Sequence, residues 1–241
     1  MTPSSIFYSG AALGVALLAV LALAVPLAPV HADNAARALP PPALDMPQGG
    51  SGLQTAVFAG GCFWGVQGVF EHVKGVTRAV SGYAGGHVAN PGYEQVSSGA
   101  TGHAESVSVT FDPAQVSYGT LLRIFFSVAL DPTQKDRQGP DWGTQYRSEL
   151  FVNGADQEHV AKAYVAQLEA AHAFSHPIAT RIDPAGPFYP AEGYHQDYLD
   201  RHPDAPYIAI NDMPKVQALQ TLFPENWQPT PVKVGKLASG D

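Results

Sequence analysis

The run AGGCFWG, residues 59–65, carries the one cysteine of the chain, Cys62. Gly60 and Gly61 before it let another molecule, or the chain itself, approach the backbone closely. Val66, Val69, Phe70 and Val73 then recur at helical spacing, so the sulfur stands at a strand-to-helix turn beside unpaired backbone N–H groups. Such a terminus carries partial positive charge and favours thiolate over thiol. Phe63 and Trp64 supply aromatic surface to wall an apolar pocket beside the sulfur. A lone cysteine is also a common small hydrophobe of cores, so the nucleophilic reading needs a second chemical group.

Glu105 supplies it. In HAESVSVTFDP (103–113), Val107, Val109 and Phe111 share one parity, Ser106, Ser108 and Thr110 take the other, and Glu105 falls with the apolar set. Strand geometry therefore points a carboxyl into the core side of a sheet. An ionised carboxylate there needs a partner, and Arg78 and Arg147 are the candidates for an ion pair. The other reading is an acid kept protonated by burial and able to donate a hydrogen bond. A nucleophilic sulfur beside a neutral acid suits attack on a centre whose oxygen must leave with protons. Two further readings stay open. A thiol hydrolase would pair Cys62 with His103 or His195 as base, although acyl transfer gains nothing from an inward neutral acid. A binding module would use Trp64, Trp142 and the tyrosines as a ligand cleft. His103-Ala104-Glu105 matches only half of a zinc-deaminase signature and no H-E-x-x-H occurs, so no catalytic metal is expected.

The elements that must position these groups follow from the pattern. QTAVFAGG (54–61) reads as a buried strand and VTRAVSGY (76–83) as a second, with a Gly-, Pro- and Asn-rich loop behind it. SYGTLLRIFFSVAL (117–130) is an amphipathic helix with Ser117 as N-cap. Residues 131–147 are polar and full of breakers, a length that marks a functional or disordered loop. A strand over 148–153, a helix over 156–172 capped by Asp156, a strand near 178–182 and a last helix near 215–223 behind Pro214 complete the chain. Without a regular βαβ repeat, an α+β layer architecture is expected.

The segments GGCFWG, GYAGG, PGYEQVSSGATGHAE, DWGTQYRS and EGYHQDYL occur in that order, and the set resembles the peptide methionine sulfoxide reductase A family over residues 53–224. The resemblance implies a two-layer α/β sandwich around a mixed sheet with a ferredoxin-like core. It also implies thiol-dependent reduction of the S epimer of methionine sulfoxide, free or in proteins. Matched position by position, Cys62 would attack the sulfoxide sulfur and Glu105 would protonate its oxygen. Tyr93 and Tyr146 would add phenolic donors, and Phe63 with Trp64 would cage the methyl group. Asp141 would shape the pocket, and His195 would support it. The product on the enzyme would be a sulfenic acid at Cys62, with no bound metal, flavin or nicotinamide. Many relatives resolve that acid with a second cysteine. This chain has none, so the resemblance implies an external thiol reductant: a small thiol, a thioredoxin-like protein or the thiol of a partner domain.

The net charge of −8 argues against nucleic acid or an anionic membrane surface as partner. Residues 1–32 hold a long apolar run without Asp, Glu, Lys or Arg, ending in Val30-His31-Ala32, the small-residue pattern of a signal peptidase site. The expectation is a cleaved export signal or, with residues 6–30 retained, a membrane anchor. Either places the working domain in the periplasm or elsewhere outside the cytoplasm, in repair of oxidised proteins. Residues 33–52 read as a flexible linker and 225–241 as a tail. A monomer is expected.

Overall fold

The computed structural model describes residues 36–46 and 52–234, with Met1. The chain divides into two units, 1–32 and 33–241, and the sheet and its helices belong to the second. The export segment expected over 1–32 lies outside the described residues apart from Met1.

In chain order the elements are β1 (Gln54–Gly60), α1 (Phe63–Glu71), β2 (Val76–Ala84), α2 (Tyr93–Ser97), β3 (Ala104–Phe111) and α3 (Tyr118–Ile124), which runs on as a π turn, Phe125–Ala129. A short hairpin, β4 (Arg137–Gln138) and β5 (Asp141–Trp142), and a 3-10 turn, Thr144–Tyr146, occupy the polar loop. Then come β6 (Ser148–Val152), α4 (Ala155–Ala170), β7 (Arg181–Pro184), β8 (Phe188–Pro190) and α5 (Tyr198–Arg201). A second π turn, Ile208–Asp212, leads into α6 (Met213–Leu222).

The main sheet has the order β7-β6-β1-β3-β2-β8, antiparallel except for the parallel β6–β7 pair, so it is mixed. Its centre, β6-β1-β3-β2, with α1 joining β1 to β2 and α3 on the path from β3 to β6, is the split βαβ arrangement of a ferredoxin-like core. The large apolar cluster lies on the helix side, where Phe58, Phe70, Val107, Val109, Phe111 and Leu121 are all buried. The opposite face holds a smaller cluster around Val57, Ala59, Ala84, Ala104 and Phe151. Alternation along β3 does what the pattern predicted. Glu105, two residues before Val107, is buried on the helix side.

Four expectations are corrected. Residues 36–46 do not form a flexible linker but a strap: Leu39 is 2% exposed within the main core, and its carbonyl accepts from Arg123 Nε. Tyr164 donates to the Pro40 carbonyl, and the Gln167 amide grips both Pro41 and Ala43. A proline-rich segment keeps free carbonyls, and here helix side chains satisfy them. The tail is part of the domain as far as Val234, with Trp227 stacked on His72 and Val232 N–H donating to the Glu71 carbonyl. Asp156 lies inside the first turn of α4, whose N-cap is Gly154 at φ 87°, a conformation that excludes most other residues. Finally, the loop 131–147 is not without structure of its own, since it forms β4, β5 and the 3-10 turn, and of its two readings the disordered one falls. Ser117 caps α3 as expected, its Oγ accepting from Thr120 N–H.

Candidate active site

Cys62 is the N-cap of α1. Gly61 before it has φ +88°, and a Cβ there would lie 2.4 Å from Gln138 Cβ, so both torsion and space require glycine. Phe63 N–H donates to Glu105 Oε2 at 3.0 Å, and the Cys62 side chain, at the N-cap, makes no capping hydrogen bond. One helix terminus thus brings together the thiol, on its N-cap residue, and the carboxyl, held by the first orphan donor of the helix, from separate segments of the motif set.

Their electrostatics differ from the expectation in one respect. Burial pushes the Cys62 thiol well above its ordinary value, and Glu105 and Asp212 add to the effect, while the Trp64 N–H and Lys215 oppose it. The predicted thiolate is therefore corrected to a thiol in this state. The helix terminus stabilises the anion, but desolvation of a sulfur only 8% exposed is larger. Burial likewise pushes Glu105 up to about 8, against the Phe63 N–H, with Asp141 and Asp212 raising it further. No ion pair reaches Glu105 among the described residues. Arg147 pairs with Glu149 at 2.5 Å on the other face of the sheet, and Arg78 is exposed. Of the two readings of Glu105, the neutral acid holds.

Tyr93 and Tyr146 both feel Glu105 and Cys62, and burial raises both phenols, Tyr93 to about 12, so both remain donors at neutral pH. Tyr93 opens α2, where Glu192 Oε1 accepts its N–H at 2.8 Å; the same carboxylate accepts from Tyr83 OH at 2.9 Å. Tyr146 ends the 3-10 turn, which is tied to α2 by Gln145 Nε2 donating to the Ser97 carbonyl. Asp141, from β5, accepts from Tyr207 OH. Trp64 is immobilised: its indole stacks on Tyr198 at 4.0 Å, meets Tyr207 edge-on, and donates to His195 Nδ1 at 3.2 Å.

His195 is neutral, since burial lowers its pKa. Accepting from Trp64 at Nδ1, it carries its proton on Nε2 and is no base for Cys62; it supports Trp64, Phe63 and Tyr93 by ring contact. His103 is committed as well, Nδ1 accepting from Gly86 N–H and Nε2 facing the Val88 carbonyl at 2.8 Å. The hydrolase reading therefore lacks its base. The Phe63 ring, expected as half of a methyl cage, is 1% exposed and packs on Tyr83 and His195 in the core. What Phe63 brings to the site is its N–H.

Sequence reasoning missed Glu192, Tyr207, Asp212 and Lys215. Glu192 stood inside the quoted EGYHQDYL segment, unassigned. The others lie in PYIAINDMPK (206–215), read only as the approach to a final helix, and no local periodicity could show that this turn folds back onto α1.

Residues 54–227 match the family described as Peptide methionine sulfoxide reductase. "Peptide methionine sulfoxide reductase MsrA 2" of Mesorhizobium japonicum is 55% identical over 183 residues, covering 76% of this chain and 94% of its own. MsrA of Thermus thermophilus is 48% identical over 170 residues, 70% of this chain and 95% of its own. Among solved structures, reduced Mxr1 from Saccharomyces cerevisiae aligns with a TM-score of 0.57 at 33% identity, over 66% of this chain and 91% of its own. Methionine sulfoxide reductase A of Corynebacterium diphtheriae aligns at 0.55 and 35% identity, over 71% and 90%. A buried thiol and a buried neutral acid sharing one helix terminus, on a sheet of this order and within a match of this length, have one family in common: the chain belongs to the peptide methionine sulfoxide reductase A enzymes.

Proposed function

We propose that this enzyme reduces the S epimer of methionine sulfoxide through a sulfenic acid on Cys62, and that an external thiol recycles it. The observation that carries the reading is the pairing of Cys62 and Glu105 at the first turn of α1. A sulfoxide sulfur is a poor electrophile until its oxygen is protonated. A thiol beside a protonated acid already holds the two protons that must be moved. Cys62 Sγ bonds to the substrate sulfur while Glu105 gives its proton to the oxygen and takes the thiol proton, with Tyr93 and Tyr146 donating to the same oxygen. The hydroxyl then passes to Cys62 and the S–S bond breaks with its electron pair going to the thioether. Methionine and Cys62–SOH are the products. Two equivalents of thiol return Cys62 to the reduced form, releasing water and a disulfide. With one cysteine in 241 residues, no internal disulfide competes.

The uncharged apolar stretch at residues 1–32 supports repair of oxidised proteins outside the cytoplasm as the setting. The test is turnover of the separate sulfoxide epimers with a dithiol, with mass analysis after one turnover without reductant. Consumption of the S epimer alone, and one added oxygen on Cys62, is the expected result. An unmodified thiol after methionine has formed would refute the scheme.

A further inference from the structure

Behind Cys62 lies a second acid–base pair that the sulfoxide step leaves idle. Asp212 is 0% exposed and its Oδ1 meets Lys215 Nζ at 3.0 Å. The carboxyl stands at the N-cap of α6 yet makes no capping bond to that helix. It turns instead onto α1. A Cβ on Gly65 would fall 2.1 Å from Asp212 Oδ1 and 2.9 Å from Lys215 Nζ. Gly65 follows the N-cap Cys62 by three residues, the spacing that puts two positions on one helix face, so the pair occupies the room beside the sulfur that any other residue would fill. Asp212 Oδ2 has no hydrogen-bond partner among the described residues. A buried carboxylate left half-satisfied and not used as a cap is costly to a fold. Both charges also act on the thiol, Asp212 raising and Lys215 lowering its pKa. Glu105 comes from the sheet, Asp212 and Lys215 from the α6 side, and α1 touches both.

We infer that Asp212 and Lys215 move the protons of the recycling step, in which an external thiol attacks the oxidised Cys62; this rests on the sulfenic acid scheme proposed for the enzyme. The incoming sulfur bonds to Cys62 Sγ as the S–O bond breaks. The oxygen leaves as water, with the proton it carries and a second one from Lys215. The thiol proton goes to Asp212 Oδ2 and returns across the Oδ1–Nζ contact to Lys215. A second thiol then releases Cys62 from the mixed disulfide. Rapid-quench mass analysis of the full chain separates the steps: oxygen gain at Cys62 with substrate alone, then its loss on adding dithiothreitol. Asp212→Asn and Lys215→Met should lose the oxygen on the order of a hundredfold more slowly than the parent, as expected for removal of a general acid–base group, a slowing far larger than any change in the rate at which they gain it. The oxygenated form should then accumulate at steady state. Lys215→Arg, which keeps the charge but does not release a proton, should recycle about as slowly as Lys215→Met, and the double variant, which removes both charges together, guards against an unpaired buried ion. Unchanged recycling, or equal slowing of both steps in every variant, would overturn the assignment. Absence of the oxygen adduct in the parent would instead remove the scheme beneath it.

Discussion

At the residue scale, the proposed chemistry turns on a proton that Glu105 keeps because it is buried. Glu105→Gln preserves shape and removes the acid, so turnover should fall about a hundredfold or more while substrate affinity changes little. Steady-state rates and KM with methionine S-sulfoxide check this. With Glu105 near 8, the acid form dominates below that pH and is lost above it. The single-turnover rate should therefore decline through about pH 8 in the parent. An alkaline limb at the same pH in Glu105→Gln would assign it to another group. Most of this was legible in sequence: the parity of one strand marked Glu105, and a glycine-flanked turn marked Cys62. The ionisation state of the sulfur was not, because helix-terminus charge can be read locally whereas desolvation is a sum over neighbours from β3, α6 and the loops.

At the scale of elements, α1 is placed by close contacts that tolerate no added atom. Gly65→Ala would drive a methyl into the Asp212 carboxyl, and overpacking of this kind costs typically about 1–3 kcal/mol. A lowered urea midpoint with unchanged m-value is the expected readout. The strap is an element the sequence concealed. Its prolines and glycine-rich flank read as a linker, since its value lies in carbonyls that α3 and α4 reach with Arg123, Tyr164 and Gln167. Leu39→Ala should cost about 2–4 kcal/mol, as for other buried leucines, and denaturant unfolding will measure it. A loss under 1 kcal/mol, roughly an exposed site's response, would mean that the strap does not anchor the fold.

At the scale of the molecule, buried acids set the response to pH. Glu71 and Glu105 are pushed up to about 9 and about 8, burial being the first cause in both. From pH 7 upward each holds a proton in the folded chain that the unfolded chain has released, until its own folded pKa is passed. Unfolding then releases protons, and stability falls as pH rises, by roughly 1.4 kcal/mol per pH unit for each group still protonated. His72 and His195, lowered by burial, are mostly neutral in both states over that range and add little slope. Calorimetry should show the thermal midpoint dropping from about pH 7 to about pH 9, less steeply in Glu105→Gln. A flat profile would mean that these carboxyls are ionised in the native state.

The sequence by itself determined the family, the α+β class and the count of one cysteine, and it singled out the thiol and acid of the candidate site. Each of these is written in local order: a motif, a period or a count. Only the tertiary structure decided that the sulfur rests as a thiol, that residues 36–46 and 225–234 belong to the domain, and that Asp212 and Lys215 stand behind Cys62. These depend on contacts between segments far apart in the chain, for which spacing along the sequence holds no signal.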